Sequence, residues 1–366
     1  MNPSQSGEAN PTAQAPEASG AAPAAPSKYD YTCIENSILY PHLKRWLWAP
    51  AVPALLPMSL SPNTMTIIGN LLAWISFFIL LSMNPEHRLL FLVPAILNFV
   101  SLSLDNMDGI QARRTGRSSP LGEYLDHWAD SFIATMMVFG YGISTGLEPW
   151  IMLTAMAMVG TAYFATFWEQ RHSRRLVFGL CGSIEAIIAI SAFYCAYAFI
   201  GLEPLAKTPR VFGYSIASSI FAVVGFFSAT AFVGSMIRVG KRWGDFVPHL
   251  LVFGAGGLWY AYGEVPLIAV GFIYMLSSAH LGGRMVMAKV LDEEPRIGDT
   301  VLYLLLGAAI VASWALKLGP TGQTIAAVPV VAYLLARLAG DFHRTVGSLR
   351  EHLNPSELLS LLVPRT

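Results

Sequence analysis

The sequence predicts an all-α, polytopic membrane protein of about ten transmembrane helices. Three observations point to it. The 366 residues are 54% hydrophobic and only 13% charged, whereas a soluble domain carries about 25% charged residues. Apolar runs of 17 or more residues recur along the chain, each long enough to cross a hydrocarbon core of ~30 Å as a helix. The basic residues also alternate from one connecting loop to the next.

The runs fall at roughly 63–83, 89–107, 126–145, 149–168, 178–201, 212–237, 246–262, 264–283, 300–318 and 323–339. Ahead of them, residues 1–27 are rich in Ala, Pro, Ser, Gly and Gln and are expected to form a disordered tail, because they cannot bury a core. This tail lacks the basic start and apolar run of a secretory signal. Residues 28–60 mix aromatics, prolines and Lys44-Arg45. They read as an amphipathic segment at the interface, with Trp46 and Trp48 at headgroup level. Spans 7 and 8 are separated only by Gly263 and its neighbours, so a hairpin is expected there. Cys33, Cys181 and Cys195 form no C-x-x-C pair and no zinc-like cluster; small-residue packing is expected of Cys181 and Cys195.

The positive charges give an orientation. The N-terminal arm, the loops after spans 2, 4, 6 and 8, and the C-terminal tail hold 19 of the 23 Lys and Arg residues. Only Arg88, Lys207, Arg210 and Lys317 fall on the other side. The positive-inside rule then puts both termini in the cytoplasm. The Arg171/Arg174/Arg175 and Arg238/Lys241/Arg242 groups read as topology determinants against anionic lipid heads. The formal net charge is +0, so nothing points to a nucleic-acid partner.

Residues 105–130 read DNMDGIQARRTGRSSPLGEYLDHWAD. Asp105 and Asp108 lie three apart, and Asp126 and Asp130 four apart, so each pair shares a helical face. An ionised Asp at the centre of a lone membrane helix costs about 2.5–3.5 kcal/mol, and four carboxylates at facing helix ends repel one another. A cation must join them. Carboxylates without nearby Cys or His ligand pairs favour Mg²⁺ or Mn²⁺. Four of them can hold two ions astride a diphosphate. Gly109 and Ala112 would let a nucleotide or phosphate approach the backbone, and Arg113 can bond phosphate oxygens in a bidentate way. A D-x-x-D pair alone would more often be a solvated helix cap.

The full constellation is more specific. Asp105 precedes Asp108-Gly109, two residues, Ala112-Arg113, eight residues, Gly122, three residues, Asp126, three residues, and Asp130. The segment resembles the signature of the CDP-alcohol phosphotransferase family. Tyr29, Tyr31, Ser37-Ile38-Leu39, Ser61-Pro62-Asn63-Thr64-Met65-Thr66, Ser118 to Glu123, Asp126-His127, Trp168-Glu169 and Gly182-Ser183-Ile184-Glu185 are similar to its eukaryotic-type choline/ethanolamine phosphotransferase branch. His280, in Ala279-His280-Leu281, is the weakest match and reads more readily as a packing histidine. Trp128-Ala129 departs from the Gly-Cys often found in that branch, and Trp128 is expected to alter headgroup or acceptor fit.

The resemblance implies a division into a catalytic bundle of six spans at 61–237, further helices packed beside it at 238–340, and a cytoplasmic tail at 341–366. It implies that Asp105, Asp108, Asp126 and Asp130 bind two divalent ions and that His127 is the general base. Asn63 and Arg113 would contact the CDP-alcohol, with Gly109, Ala112 and Gly122 completing the substrate site. Glu185, one to two turns inside span 5, would be costly unless it faces the cavity. It is expected either near substrate and metal or paired with Arg174 or Arg175. The implied reaction moves phosphocholine or phosphoethanolamine from a CDP-alcohol to diacylglycerol, with release of CMP. Homodimerisation is a further implication. The active site would face the cytoplasm, in endoplasmic reticulum or Golgi if the host is eukaryotic and in the inner membrane if it is bacterial.

Two other readings stay open on sequence. One is a transferase of the same superfamily that uses CDP-diacylglycerol and a small alcohol; the other is a cation-coupled transporter, whose site would sit nearer the midplane. Choline and ethanolamine are not distinguished. A quaternary ammonium would favour an aromatic cage, for which Tyr124, Trp128 and Trp168 are available. A primary ammonium would favour a carboxylate such as Glu169 or Glu185.

Overall fold

The computed structural model describes residues 32–352 except 210, 212 and 241. The expected disordered tail, residues 28–31 of the interfacial segment and residues 353–366 of the C-terminal tail lie outside the described residues. Two short helices, α1 (Tyr40–Leu43) and α2 (Ala49–Leu55), are joined by a wider π-turn at Lys44–Trp48. Ten longer helices follow: α3 (Pro62–Ser82), α4 (Leu92–Thr115), α5 (Pro120–Thr145), α6 (Pro149–Ser173), α7 (Ser183–Ile200), α8 (Ile216–Val239), α9 (Val247–Tyr262), α10 (Leu267–Leu291), α11 (Thr300–Ala315) and α12 (Pro320–Ser348). Each expected run corresponds to one of them. The protein is an all-α polytopic membrane protein.

By length and composition, six of these helices can cross a membrane: α3, α4 with its leading turn from Arg88, α6, α7, α8 and α12. The other four fall short of that measure. Helices α9 and α11 have 16 residues each, α5 carries Glu123, Asp126 and Asp130, and α10 is interrupted by Ser277, Ser278, His280 and Arg284. Ile68, Leu71, Ile75 and Phe78 of α3 are exposed at helical spacing, an outward apolar stripe suited to lipid.

Helix starts follow local chemistry. Pro62, Pro120, Pro149 and Pro320 each stand in a first turn, where the missing N–H would have had no intrahelical partner. Ser119 Oγ accepts from Gly122 N at 3.1 Å and caps α5. Gly116 ends α4 at φ 67°, a left-handed conformation that glycine adopts without strain.

Two strands that the hydropathy pattern did not announce, β1 (Thr32–Glu35) and β2 (Arg175–Phe178), pair in parallel with Cys33 opposite Leu176. They tie the N-terminal arm to the loop after α6. Trp46 is 71% exposed, but Trp48 is fully buried, with its ring 6.1 Å from that of Tyr40. Trp48 is therefore a core residue and not a headgroup anchor. The α9–α10 hairpin turns at Gly263 as expected. Cys195 is exposed and Cys181 half-buried, so the packing role expected of Cys195 is not found.

The larger departure concerns α10. Twenty of its 25 residues are buried, and it packs against α5, α6, α9 and α12. It is inserted against the first helices and does not simply lie beside them. Its glycines allow this. A Cβ at Gly271 would fall 2.3 Å from the Phe139 ring, and one at Gly283 would fall 2.7 Å from Trp128 Cδ1. Side chains of α5 thus lie directly on the α10 backbone. Trp128 also meets Phe132 and Phe342, with centroids at 4.9 and 5.0 Å. These contacts make Trp128 part of the packing between α5, α10 and α12.

His280 is a buried histidine set in a charged cluster, its Nδ1 3.6 Å from Asp341 Oδ2. Its Nε2 lies 3.0 Å from Asp299 Oδ2, in a cluster where Arg284 Nη2 donates to the same oxygen at 3.3 Å and Tyr333 OH donates to Oδ1 at 2.7 Å. Arg238, expected at lipid heads, instead pairs with Glu169, whose side chain is fully buried. Its Nη2 donates to Glu169 Oε2 at 2.7 Å.

Candidate active site

Three helices supply the site: the first turn of α3, the C-terminal half of α4 and the first half of α5. A small residue sets one approach. A Cβ at Gly69 would meet Leu104 Cβ and Ser101 O at 3.3 Å, so α3 and α4 lie close just below Asp105. The 56–60 turn that starts α3 is riveted to α4. Gln111 Nε2 donates to Pro57 O at 2.9 Å, Arg114 Nη1 to Leu56 O at 2.9 Å and Arg117 Nη1 to Ser59 O at 3.3 Å. These bonds fix Asn63 and Thr66 against the aspartates.

The structure brings the four aspartates together. Asp108 accepts a hydrogen bond from Thr66 Oγ1, and Asp105 and Asp126 are close enough to interact electrostatically. Asp126 feels the charge of the other three, and Arg113 is the basic side chain that attracts Asp108. Among the described residues, no three His, Cys, Asp or Glu side chains form a ready-made metal ligand set. The donor chemistry nevertheless suits a hard divalent cation: all the groups are oxygens, clustered, and mutually repulsive without one.

Two cavities divide this quartet between them. A polar cavity of about 400 Å³ has Asp108 and Asp126 on its wall, together with Asn63, Gly109, Ala112, Arg113 and Gly122. Asn63 and the four expected substrate-binding residues of the signature region therefore share one space. A Cβ at Gly122 would fall 3.0 Å from Asn63 Oδ1, so the glycine leaves room for the Asn63 amide. A second, apolar cavity of about 120 Å³ has Asp105 and Asp130 among its lining residues. Ile133, Val159, Phe167 and Ile187 are among its lining residues, and it runs between α4, α5, α6, α7 and α8.

His127 is buried between the two. Its ring stacks on Phe167 with centroids 5.4 Å apart, and its Nε2 lies 3.9 Å from Asp126 Oδ2. It is not among the residues lining either cavity. Glu185 is placed elsewhere. Its carboxylate accepts from Gly182 N at 2.8 Å, Leu39 N at 3.0 Å and Ser37 Oγ at 2.5 Å, capping α7 and clasping the N-terminal arm. Those partners replace the expected Arg174 or Arg175, and Glu185 does not line either cavity.

Neither headgroup arrangement expected from the sequence is assembled. Tyr124 and Trp128 stack on each other, whereas Trp168 packs on Phe246 and donates to Asp245 Oδ2 at 2.7 Å. Glu169 and Glu185 are both engaged. The sequence reading did not single out Thr66, Gln111, Arg117, Glu123 or Lys289. Thr66 stands inside the Pro62-Asn63-Thr64-Met65-Thr66 segment and Glu123 closes the Ser118 to Glu123 segment, so these two carried a signal.

The described helices thus form a bundle in which Asp108 and Asp126 line a polar cavity and Asp105 and Asp130 an apolar one. Residues 59–235 match the family model of CDP-alcohol phosphatidyltransferases, and the chain carries a domain of that family. It is 31% identical over 193 residues to ethanolaminephosphotransferase 1 of Homo sapiens, covering 48% of each chain. To cholinephosphotransferase 1 of Gallus gallus it is 32% identical over 214 residues, covering 56% of this chain and 62% of that protein. To cholinephosphotransferase 1 of Saccharomyces cerevisiae it is 26% identical over 202 residues, covering 53% and 51%. The matched region thus spans about half the length of most of these relatives.

Proposed function

We propose that the protein transfers phosphocholine or phosphoethanolamine from a CDP-alcohol to diacylglycerol. The supporting observation is the pair of cavities that share one carboxylate quartet. A CDP-alcohol is soluble and suits the polar cavity; diacylglycerol stays in the membrane and suits the apolar one. Basic-residue bias orients the polar cavity toward the cytoplasm, in endoplasmic reticulum, Golgi or a bacterial inner membrane.

In this reading Asp105, Asp108, Asp126 and Asp130 hold two Mg²⁺ or Mn²⁺ ions. Bound there, the ions would neutralise the diphosphate and improve CMP as a leaving group. Arg113 grips phosphate oxygens, and Asn63, Gly109, Ala112 and Gly122 accommodate the nucleotide. The acceptor hydroxyl oxygen attacks the β-phosphorus, the bond from that phosphorus to the bridging oxygen breaks, and CMP leaves. His127 takes the hydroxyl proton.

The test is an assay of purified protein with CDP-choline and CDP-ethanolamine, each with diacylglycerol and Mg²⁺ or Mn²⁺. CMP release that requires both substrates is expected. No release with either donor, together with label transfer from the diacyl part of CDP-diacylglycerol to a small alcohol, would replace this reading with the other enzyme. A narrower prediction concerns the wall of the polar cavity. Ala112→Leu should weaken CDP-alcohol binding by about tenfold, because roughly three added carbons must displace the nucleotide or strain the helix. Unchanged donor affinity in folded protein would show that Ala112 serves helix packing alone.

A further inference from the structure

The polar cavity has an anionic wall residue that the proposed reaction does not use. Glu123 lines it, one position after Gly122 and three before Asp126. Lys289 Nζ, reaching across from α10, bonds both Glu123 oxygens. Gln170 Nε2, from α6, donates to Oε1 at 2.9 Å. The Glu123 and Lys289 side chains are 10% and 7% exposed, and Glu123 Oε1 lies 3.9 Å from His127 Nδ1. Lys289 stands well beyond the 59–235 match.

A diphosphate entering this cavity must approach a carboxylate that is not needed to bind it. Left bare, that carboxylate would repel the diphosphate in a medium that screens charge poorly. A buried carboxylate that loses its ion-pair partner is also strongly destabilising. We infer that Lys289 is a positioning residue for the donor site: it neutralises Glu123 and fixes its carboxylate, so that the wall presents no uncompensated anion to the diphosphate. This rests on the donor reading proposed above. It makes a helix outside the family match part of the electrostatics of the polar cavity. The role is one of charge balance, so it predicts that removing both partners does less harm than removing Lys289 alone.

The experiment measures calorimetric binding of CDP-choline and CDP-ethanolamine to the full purified chain, alongside donor KM and kcat. Lys289→Met should weaken donor binding by about tenfold or more, with a smaller effect on kcat. Lys289→Arg should stay within about threefold of the native chain, because the charge is kept. The Glu123→Gln, Lys289→Met pair should recover affinity to within about threefold, and Glu123→Gln alone should not weaken the donor. If Lys289→Met does not fold, the last two variants still decide. A double variant as weak as one without the lysine, or a Glu123→Gln protein with tenfold weaker binding, overturns the inference. Native protein that binds neither CDP-alcohol overturns the donor reading itself and the inference with it, before any variant is made.

Discussion

Replacing Asp108 or Asp126 with alanine is expected to lower turnover by about three orders of magnitude or more, since metal-assisted charge stabilisation supplies several kcal/mol. Both carboxylates face the polar cavity, where the diphosphate would lie, and both belong to a quartet whose charges oppose one another. That opposition separates a functional loss from a folding loss. In metal-free protein, removing one of four clustered carboxylates relieves repulsion, so melting temperature should hold or rise while activity disappears. Exhaustive chelation should abolish turnover of the native chain, and added Mg²⁺ or Mn²⁺ should restore it. Turnover that survives chelation, or nearly normal rates in both variants, would sink the two-ion reading.

His127→Ala is expected to lower kcat by about 10²–10⁴-fold, the usual effect of losing a general base. Donor affinity and the cation requirement should be kept. Phe167, on which His127 stacks, lines the apolar cavity, and Asp126, 3.9 Å from its Nε2, lines the polar one. A proton acceptor at that boundary can serve an acceptor hydroxyl without holding the nucleotide. Rapid-quench measurement of CMP formation at saturating donor reads the chemical step directly. A drop of less than a few-fold would assign the proton to a carboxylate or a water. Donor binding that collapses together with rate would make His127 part of the binding shell.

The helices and the signature residues were legible because both are local. Hydropathy at helical spacing marks a helix whatever it packs against, and Asp105 to Asp130 lie within two consecutive helices. What stayed hidden depends on partners far along the chain. Lys289 meets Glu123 across 166 positions, and Glu185 meets Ser37 across 148, so neither pairing leaves a periodic trace. Trp48 looks like an interfacial anchor by composition, and only tertiary packing buries it. Strands β1 and β2 have four residues each, too short for an alternating pattern to register. The insertion of α10 was illegible for a related reason: the apolar stretch before Ser277 reads the same facing lipid or protein, and the partners of His280 and Arg284 lie elsewhere in the chain.

That insertion bears on how the chain can be re-engineered. Residues 59–235 are what this chain shares with its family model, yet α5 within them is complete only when α10 lies on it. A larger residue in place of Gly283 would bring a Cβ within 2.7 Å of the Trp128 indole. The indole would then meet a side chain where it now meets bare backbone, and overpacking of that kind costs about 1–3 kcal/mol. The packing unit is therefore larger than the matched one, and a change in α5 should be designed together with α10.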